Sequence, residues 1–148
     1  MLDINTFKTI VKNTPLISID LIIKNKKGDV LLGLRTNRPA KDYWFVPGGR
    51  ILKDESLVAA FSRLAKNELG KSISIADANF LGVYQHFYSD NFSEDDFSTH
   101  YVVLGYELTL DIDLSDLPEQ QHSDYQFLSV SSLLDSDDVH QHTKDYFL

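Results

Sequence analysis

Gly49-Arg50-Ile51-Leu52-Lys53-Asp54-Glu55-Ser56-Leu57-Val58-Ala59-Ala60-Phe61-Ser62-Arg63-Leu64-Ala65-Lys66-Asn67-Glu68-Leu69-Gly70 is the stretch that decides the fold. Leu57, Phe61, Leu64 and Glu68 recur at i, i+4, i+7 and i+11, so at about 100° per residue they share one helical face, flanked by Ala60 and Ala65. The spacing predicts a helix from about Asp54 to Leu69, with Asp54 or Ser56 as its cap and Gly70 as its stop. Glu68 falls within the apolar face. A buried carboxylate costs several kcal/mol unless a cation or strong donors compensate. Glu68 is therefore read as a metal ligand or its close neighbour, with a structural ion pair to an arginine as the alternative. Arg63 and Asn67 lie on the opposite shoulder, where they bond each other or hold the Gly48-Gly49 loop. Glu55 pairs with Arg63 or bonds loop amides, and all three are read as scaffold.

Upstream, Tyr43 to Val46 reads as a short strand stopped by Pro47-Gly48-Gly49. Glycines beside a helix entry let backbone groups approach a phosphate or its cation closely. Arg35, Arg38 and Arg50 bracket this turn, and the planar arginine fork suits phosphate. They are candidate clamps for a leaving group, against ordinary surface charge. Leu16–Lys24 and Val30–Leu34 read as strands joined at Gly28-Asp29. Asn79–Tyr88 and Thr99–Leu110 are further strands, separated by an acidic aromatic loop, and Tyr125–Ser129 is the last. Ile4, Phe7, Ile10 and Val11 mark a short amphipathic helix ended by Pro15, and the C-terminal residues are weakly helical. This alternation predicts an α/β (α+β) chain, a mixed sheet with helices on its faces, forming one domain over residues 1–148.

With 22 acidic against 14 basic side chains, the net charge of −8 speaks against a nucleic-acid polymer as partner, though not against a single nucleotide. The chain has no cysteine, hence no disulfide, thiolate metal site or thiol nucleophile. No apolar run approaches the roughly 20 residues of a membrane span. Met1-Leu2-Asp3-Ile4-Asn5 lacks the features of a signal peptide, so no membrane association and a cytoplasmic location are expected. His122, in the polar segment from Pro118 to Asp124, is the candidate general base, with a merely exposed histidine as the alternative. His86 and His100 read as packing residues, and His140 and His142 are given no role.

The skeleton Gly49-x5-Glu55-x7-Arg63-x4-Glu68-x-Gly70 resembles the Nudix box, a Mg2+ site for cleaving nucleoside diphosphate derivatives. In that box acidic residues also stand where this chain has Leu64 and Asn67, so only Glu68 remains. Arg35-Thr36-Asn37-Arg38-Pro39-Ala40, Tyr43 through Arg50, Gln85-His86-Phe87-Tyr88, Asp90-Asn91-Phe92, Thr99 through Tyr106 and Gln121-His122 resemble the GDP-mannose mannosyl hydrolases. These form a divergent Nudix branch with the same missing carboxylates, and the likeness covers nearly the whole chain.

The resemblance implies a Nudix fold, with a mixed β-sheet sandwiched between helices. It implies hydrolysis of a nucleotide sugar, GDP-mannose, to GDP and free sugar by inverting attack of water at the anomeric carbon. GDP-glucose is a second candidate substrate. By position it places Glu68, the Gln121 side chain and the Gly48 carbonyl on one Mg2+ per subunit, with Mn2+ as a substitute. His122 becomes the base, Arg35 and Arg50 the diphosphate clamps, and Asp20 and Tyr101 substrate contacts. Leu2 and Phe7 become nucleotide contacts in a homodimer. Read without the resemblance, Asp20 is a polar strand residue and Phe7 a core residue. Two alternatives stand beside this reading. One is a Nudix pyrophosphatase attacking phosphorus to give GMP and sugar phosphate, helped by a carboxylate such as Glu94, Asp95 or Asp96. The other is a nucleotide-sugar sensor without catalysis. The polar loop at 87 to 98 is a candidate lid.

Overall fold

The computed structural model describes residues 1–118 and 122–148, and of residues 122 and 123 the backbone alone. Helix α1 (Ile4–Asn13) opens the chain, capped by the Asp3 carboxylate, which accepts from the Thr6 N–H at 2.9 Å. Strand β1 (Leu16–Lys24) is buried almost throughout, with Ile17 the exposed exception. A strand without period-two alternation is one covered on both faces. It runs parallel to β6 (Thr99–Thr109), from Leu16 opposite Tyr101 to Lys24 opposite Thr109. Beyond β6 the edge strand β5 (Asn79–Tyr88) pairs antiparallel, with a register shift between Phe80 and Gly82.

On its other side β1 meets two partners. Lys24 faces Val30 of β2 (Val30–Arg35), while Ser18 to Asp20 face Arg50 to Gly48 of β4 (Gly48–Arg50). Strand β2 continues the sheet to β3 (Trp44–Phe45) and to β7 (His122–Leu128). The sheet is mixed, as expected from the sequence. β3 stops before Pro47, as the sequence predicts, but Gly48 and Gly49 also begin a further strand that the sequence does not announce. Val46 and Pro47 separate β3 from β4, and the Pro47 carbonyl accepts from the Leu21 N–H at 2.8 Å.

Helix α2 (Leu57–Leu69) starts later than the sequence predicts. Asp54 sits at a left-handed φ of 65°, and Ser56 is the cap, accepting from the Ala59 N–H at 3.1 Å. Leu57 lies in the solvent-facing first turn, 45% exposed, so the buried stripe runs through Ala60, Phe61, Leu64, Ala65, Glu68 and Leu69. Gly70 closes the helix at φ 70°, donating to the Lys66 carbonyl. The stripe packs on Ile19, Leu21, Ile23, Leu31 and Tyr106. Truncating fully buried Phe61 to alanine would cost about 3–5 kcal/mol.

The opposite face of the sheet is covered by the C-terminal segment: α3 (Val130–Asp135), α4 (Gln141–Lys144) and a closing 3₁₀ turn at Asp145–Phe147. Leu133 and Val139 join Ile22, Val30, Leu32, Phe45 and Val46 there, with Tyr146 and Phe147 packed against them. The weakly helical tail expected from the sequence is thus a wall of the core. It also carries its last aromatic residues back to the middle of β1.

Candidate active site

The site forms where β4 crosses β1. Asp20 stands opposite Gly48 in the ladder, and a Cβ at position 48 would collide with Asp20 Oδ1 and lie 2.5 Å from the Ile19 carbonyl oxygen. A Cβ at position 49 would lie 2.5 Å from Leu64 Cδ2. The two glycines therefore let one backbone strand pass between a buried carboxylate and α2. The Gly48 N–H donates to Glu68 Oε1 at 3.2 Å, bringing a helix carboxylate and a strand carboxylate to the same short strand.

Both carboxylates are buried, Asp20 at 7% and Glu68 at 5% exposure. Burial pushes the Glu68 carboxyl up to about 7, tempered by the Gly48 N–H and by Arg35. Burial likewise lifts Asp20 to about 7, opposed by the Tyr146 hydroxyl and Arg35 and reinforced by Glu68. Glu68 Oε2 is buried and has no hydrogen-bond partner among the described residues. An orphaned buried carboxylate oxygen calls for a cation, since leaving it unpaired costs the full desolvation penalty.

Arg35, at the end of β2, donates from Nε to the Pro39 carbonyl at 2.9 Å and lines the same cavity as Asp20, Gly48, Glu68 and Arg50. The cavity measures about 90 Å3. Arg50 reaches it with its guanidinium 4.8 Å from the Phe7 ring centroid. Arg38 does not join them: it pairs with Glu94 at 3.1 Å and donates to the Ser93 carbonyl. Of the three arginines read as candidate clamps, Arg35 and Arg50 line the cavity and Arg38 does not.

Arg63 and Glu55 form the scaffold pair that was one of the alternatives read from the sequence. Arg63 grips Glu55 through Nε at 2.7 Å and Nη2 at 2.9 Å, and Nη2 also donates to the Arg50 carbonyl at 2.8 Å. Glu55 in turn accepts from the Leu52 N–H at 3.0 Å. This pair ties the β4 exit to α2 and so fixes the register of Gly48 against Glu68.

Tyr101 lines the cavity from β6, and burial raises its phenol above the usual range. Opposite it in the ladder stands His86, which also lines the cavity. His86 is stacked on His142 at 4.4 Å, and burial beside His142 and His140 holds it down at about 3, so it is neutral. Sequence reasoning left His140 and His142 without a role and gave His86 packing alone. The three imidazoles instead form one cluster behind the cavity, with Tyr88 against them. Nothing in the sequence brings residue 86 near residue 142; the fold of the C-terminal tail does. His100 stacks on Phe87 at 4.4 Å, and neither lines the cavity.

Phe7 is half-buried, its ring 4.9 Å from Phe92 and beneath Arg50, rather than part of the core. Leu2 is 43% exposed and does not line the cavity. The backbone of His122 pairs opposite Arg35, which puts the candidate base on a strand bordering the site. Gln121 lies outside the described residues.

These residues, a partnerless carboxylate oxygen flanked by backbone and a second carboxylate, fit a hard divalent cation, which takes oxygen donors. Among the described residues no group of three or more His, Asp and Glu is arranged to hold a metal. A site with a single side-chain carboxylate ligand would show none.

The NUDIX domain model matches residues 14–147. The chain belongs to the Nudix family. By class it is a Nudix hydrolase, and such enzymes generally use divalent metal ions. It is 44% identical over 117 residues to the low-salt glycan biosynthesis protein Agl8 of Haloferax volcanii, covering 79% of this chain and 72% of that protein. Among solved structures, a MutT protein from Methanosarcina mazei Go1 aligns at TM-score 0.71 and 21% identity, over 91% of this chain and 92% of that one. The NUDIX domain of Shewanella oneidensis NrtR, complexed with ADP ribose, aligns at TM-score 0.62 and 17% identity, over 99% and 96%. At those identities the structural matches bear on the fold. No helix among the described residues is long and apolar enough to cross a membrane.

Proposed function

We propose that this Nudix hydrolase cleaves GDP-mannose, with GDP-glucose as a second substrate, to GDP and free sugar, using one Mg2+. The observation that carries the reading is the acid-poor helix. Of α2's side chains, Glu68 alone is a buried carboxylate, one oxygen of which has no partner among the described residues, and Arg35 and Arg50 line the same cavity. Such a site is poorly furnished to hold several metals around an attacked phosphorus. It is well furnished to neutralise a departing diphosphate. The printed name of the Haloferax relative, a glycan biosynthesis protein, is in keeping with nucleotide-sugar chemistry.

Glu68, the Gly48 carbonyl and Gln121 would hold the Mg2+, which supplies charge neutralisation at the diphosphate when bound. Arg35 and Arg50 bind the same oxygens. Asp20 and Tyr101 accept and donate hydrogen bonds to the sugar, and His122 takes the proton from the water that attacks the anomeric carbon with inversion. The homodimer and the cytoplasmic setting belong to this reading, and sedimentation tests the first.

Substituting His122→Gln tests it. Turnover should fall by ~10²–10⁴-fold with Mg2+ affinity unchanged; near-normal turnover would remove His122 from the chemistry.

Attack at phosphorus, giving GMP and sugar phosphate, is favoured by one observation: Asp20 is a second buried carboxylate beside Gly48. The acidic loop is less suited to that role, because Glu94 is paired with Arg38 and Asp95 with Lys8 at 3.0 Å.

A further inference from the structure

The C-terminal 3₁₀ turn delivers one side chain to the site that neither the sequence reading nor the chemistry above uses. The Tyr146 hydroxyl donates to Asp20 Oδ2 at 2.5 Å and lies 3.4 Å from His86 Nε2. Burial beside the Asp20 carboxylate raises the phenol well above its usual range, so the hydroxyl keeps its proton and acts as a donor. The ring is held by an edge contact with Tyr84 at 4.5 Å. It also depends on Gly105, which stands opposite Asp20 in the β1–β6 ladder: a Cβ there would lie 3.1 Å from Tyr146 Cε1 and 3.2 Å from Tyr84 Cε1. The sheet thus leaves a slot beside Asp20, and a residue 126 positions away in sequence fills it.

We propose that Tyr146 is a positioning residue for substrate binding: its hydroxyl fixes Asp20 Oδ2 so that Oδ1, beside Gly48 on the cavity wall, is aimed at a hydroxyl of the sugar. A carboxylate with one oxygen tied down presents the other in a single orientation, which is what discrimination among sugar hydroxyls needs. Phe147 packs in the core beside Lys24, so the turn carrying Tyr146 is anchored on the sheet. The assignment rests on the reading of the cavity as a nucleotide-sugar site.

The test is a double-mutant cycle with Tyr146→Phe, Asp20→Ala and the pair, read by kinetics with GDP-mannose and by GDP inhibition. Tyr146→Phe keeps the ring, its contact with Tyr84 and the slot at Gly105. It should lower kcat/KM about 10–100-fold, the range for a hydrogen bond to a charged group, with GDP inhibition unchanged. In the Asp20→Ala background the same substitution should cost less than about 2-fold. Additive losses, or equal losses for substrate and GDP, would make Tyr146 a packing residue and overturn the proposal. If the wild-type protein turns over no nucleotide sugar, the nucleotide-sugar hydrolysis reading falls, and the four proteins are titrated with GDP-mannose and with GDP by calorimetry. Non-additive loss confined to the sugar nucleotide supports the positioning role; indistinguishable affinities overturn it.

Discussion

Replacing Glu68 by glutamine should stabilise the metal-free protein at alkaline pH, because the native carboxylate is buried with one oxygen unsatisfied among the described residues. The folded group holds its proton up to about 7, against 4.5 for the free side chain. Between those values the unfolded chain binds fewer protons than the folded one, so stability falls as pH rises. At about 1.4 kcal/mol for each pH unit, the full cost reaches ~3 kcal/mol above pH 7 and vanishes below pH 4.5. Glutamine keeps an acceptor for the Gly48 N–H and does not titrate. Glu68→Gln should therefore match wild type near pH 4.5 and exceed it by ~3 kcal/mol at pH 8, or ~6–12 °C in Tm for a chain of this size. Asp20 titrates in the same window in both proteins, and removing the Glu68 charge also lessens the upward push on Asp20, which adds to the variant's gain. The assay is scanning calorimetry from pH 5 to 8 with chelator, repeated with Mg2+. Added Mg2+ should raise the wild-type Tm at pH 8 and leave the variant unmoved. Parallel pH curves for the two proteins would refute the reasoning.

At the acid end the sign reverses. Arg63 holds Glu55 down at about 2 from 4.5, so the stability of that pair is present above pH 4.5 and lost as pH falls towards 2. Glu55→Gln should remove this acid limb in unfolding measured between pH 2 and 5. Gly48→Ala must push a Cβ against Asp20 Oδ1 and the Ile19 carbonyl, and such overpacking typically costs about 1–3 kcal/mol. Its denaturant midpoint should drop and its turnover fall with it. Arg35→Lys keeps the charge but loses the planar fork held by the Pro39 carbonyl, and kcat/KM should fall ~10-fold or more while Tm moves little.

How much of this was legible depended on whether the information was local. The α2 stripe and the burial of Glu68 followed from periodicity, because core packing selects side chains at 3.6-residue spacing. Leu57 kept the period yet is exposed, as the first residue of α2. The Glu55–Arg63 pair was among the sequence's alternatives. Its further bond to the Arg50 carbonyl was not, because that requires the β4 exit to fold back on the helix. Pro47-Gly48-Gly49 read as a turn because glycine and proline break regular structure on average. Here the glycines serve a strand squeezed between Asp20 and Leu64. The resemblance marked Asp20 and Tyr101, and both line the cavity with Arg35, Arg50, Gly48 and Glu68. His86, His142 and Tyr146 were illegible as a group: β5 and the C-terminal tail meet through tertiary topology, and no spacing in the chain encodes it.

Product identification after incubation with GDP-mannose and Mg2+ in 18O-labelled water, read by mass spectrometry, decides which atom the water attacks. Unlabelled GDP with the label in free mannose is the expected result, and it means attack at the anomeric carbon. Label in GMP or in mannose phosphate would mean attack at phosphorus and would contradict the proposed hydrolysis at carbon.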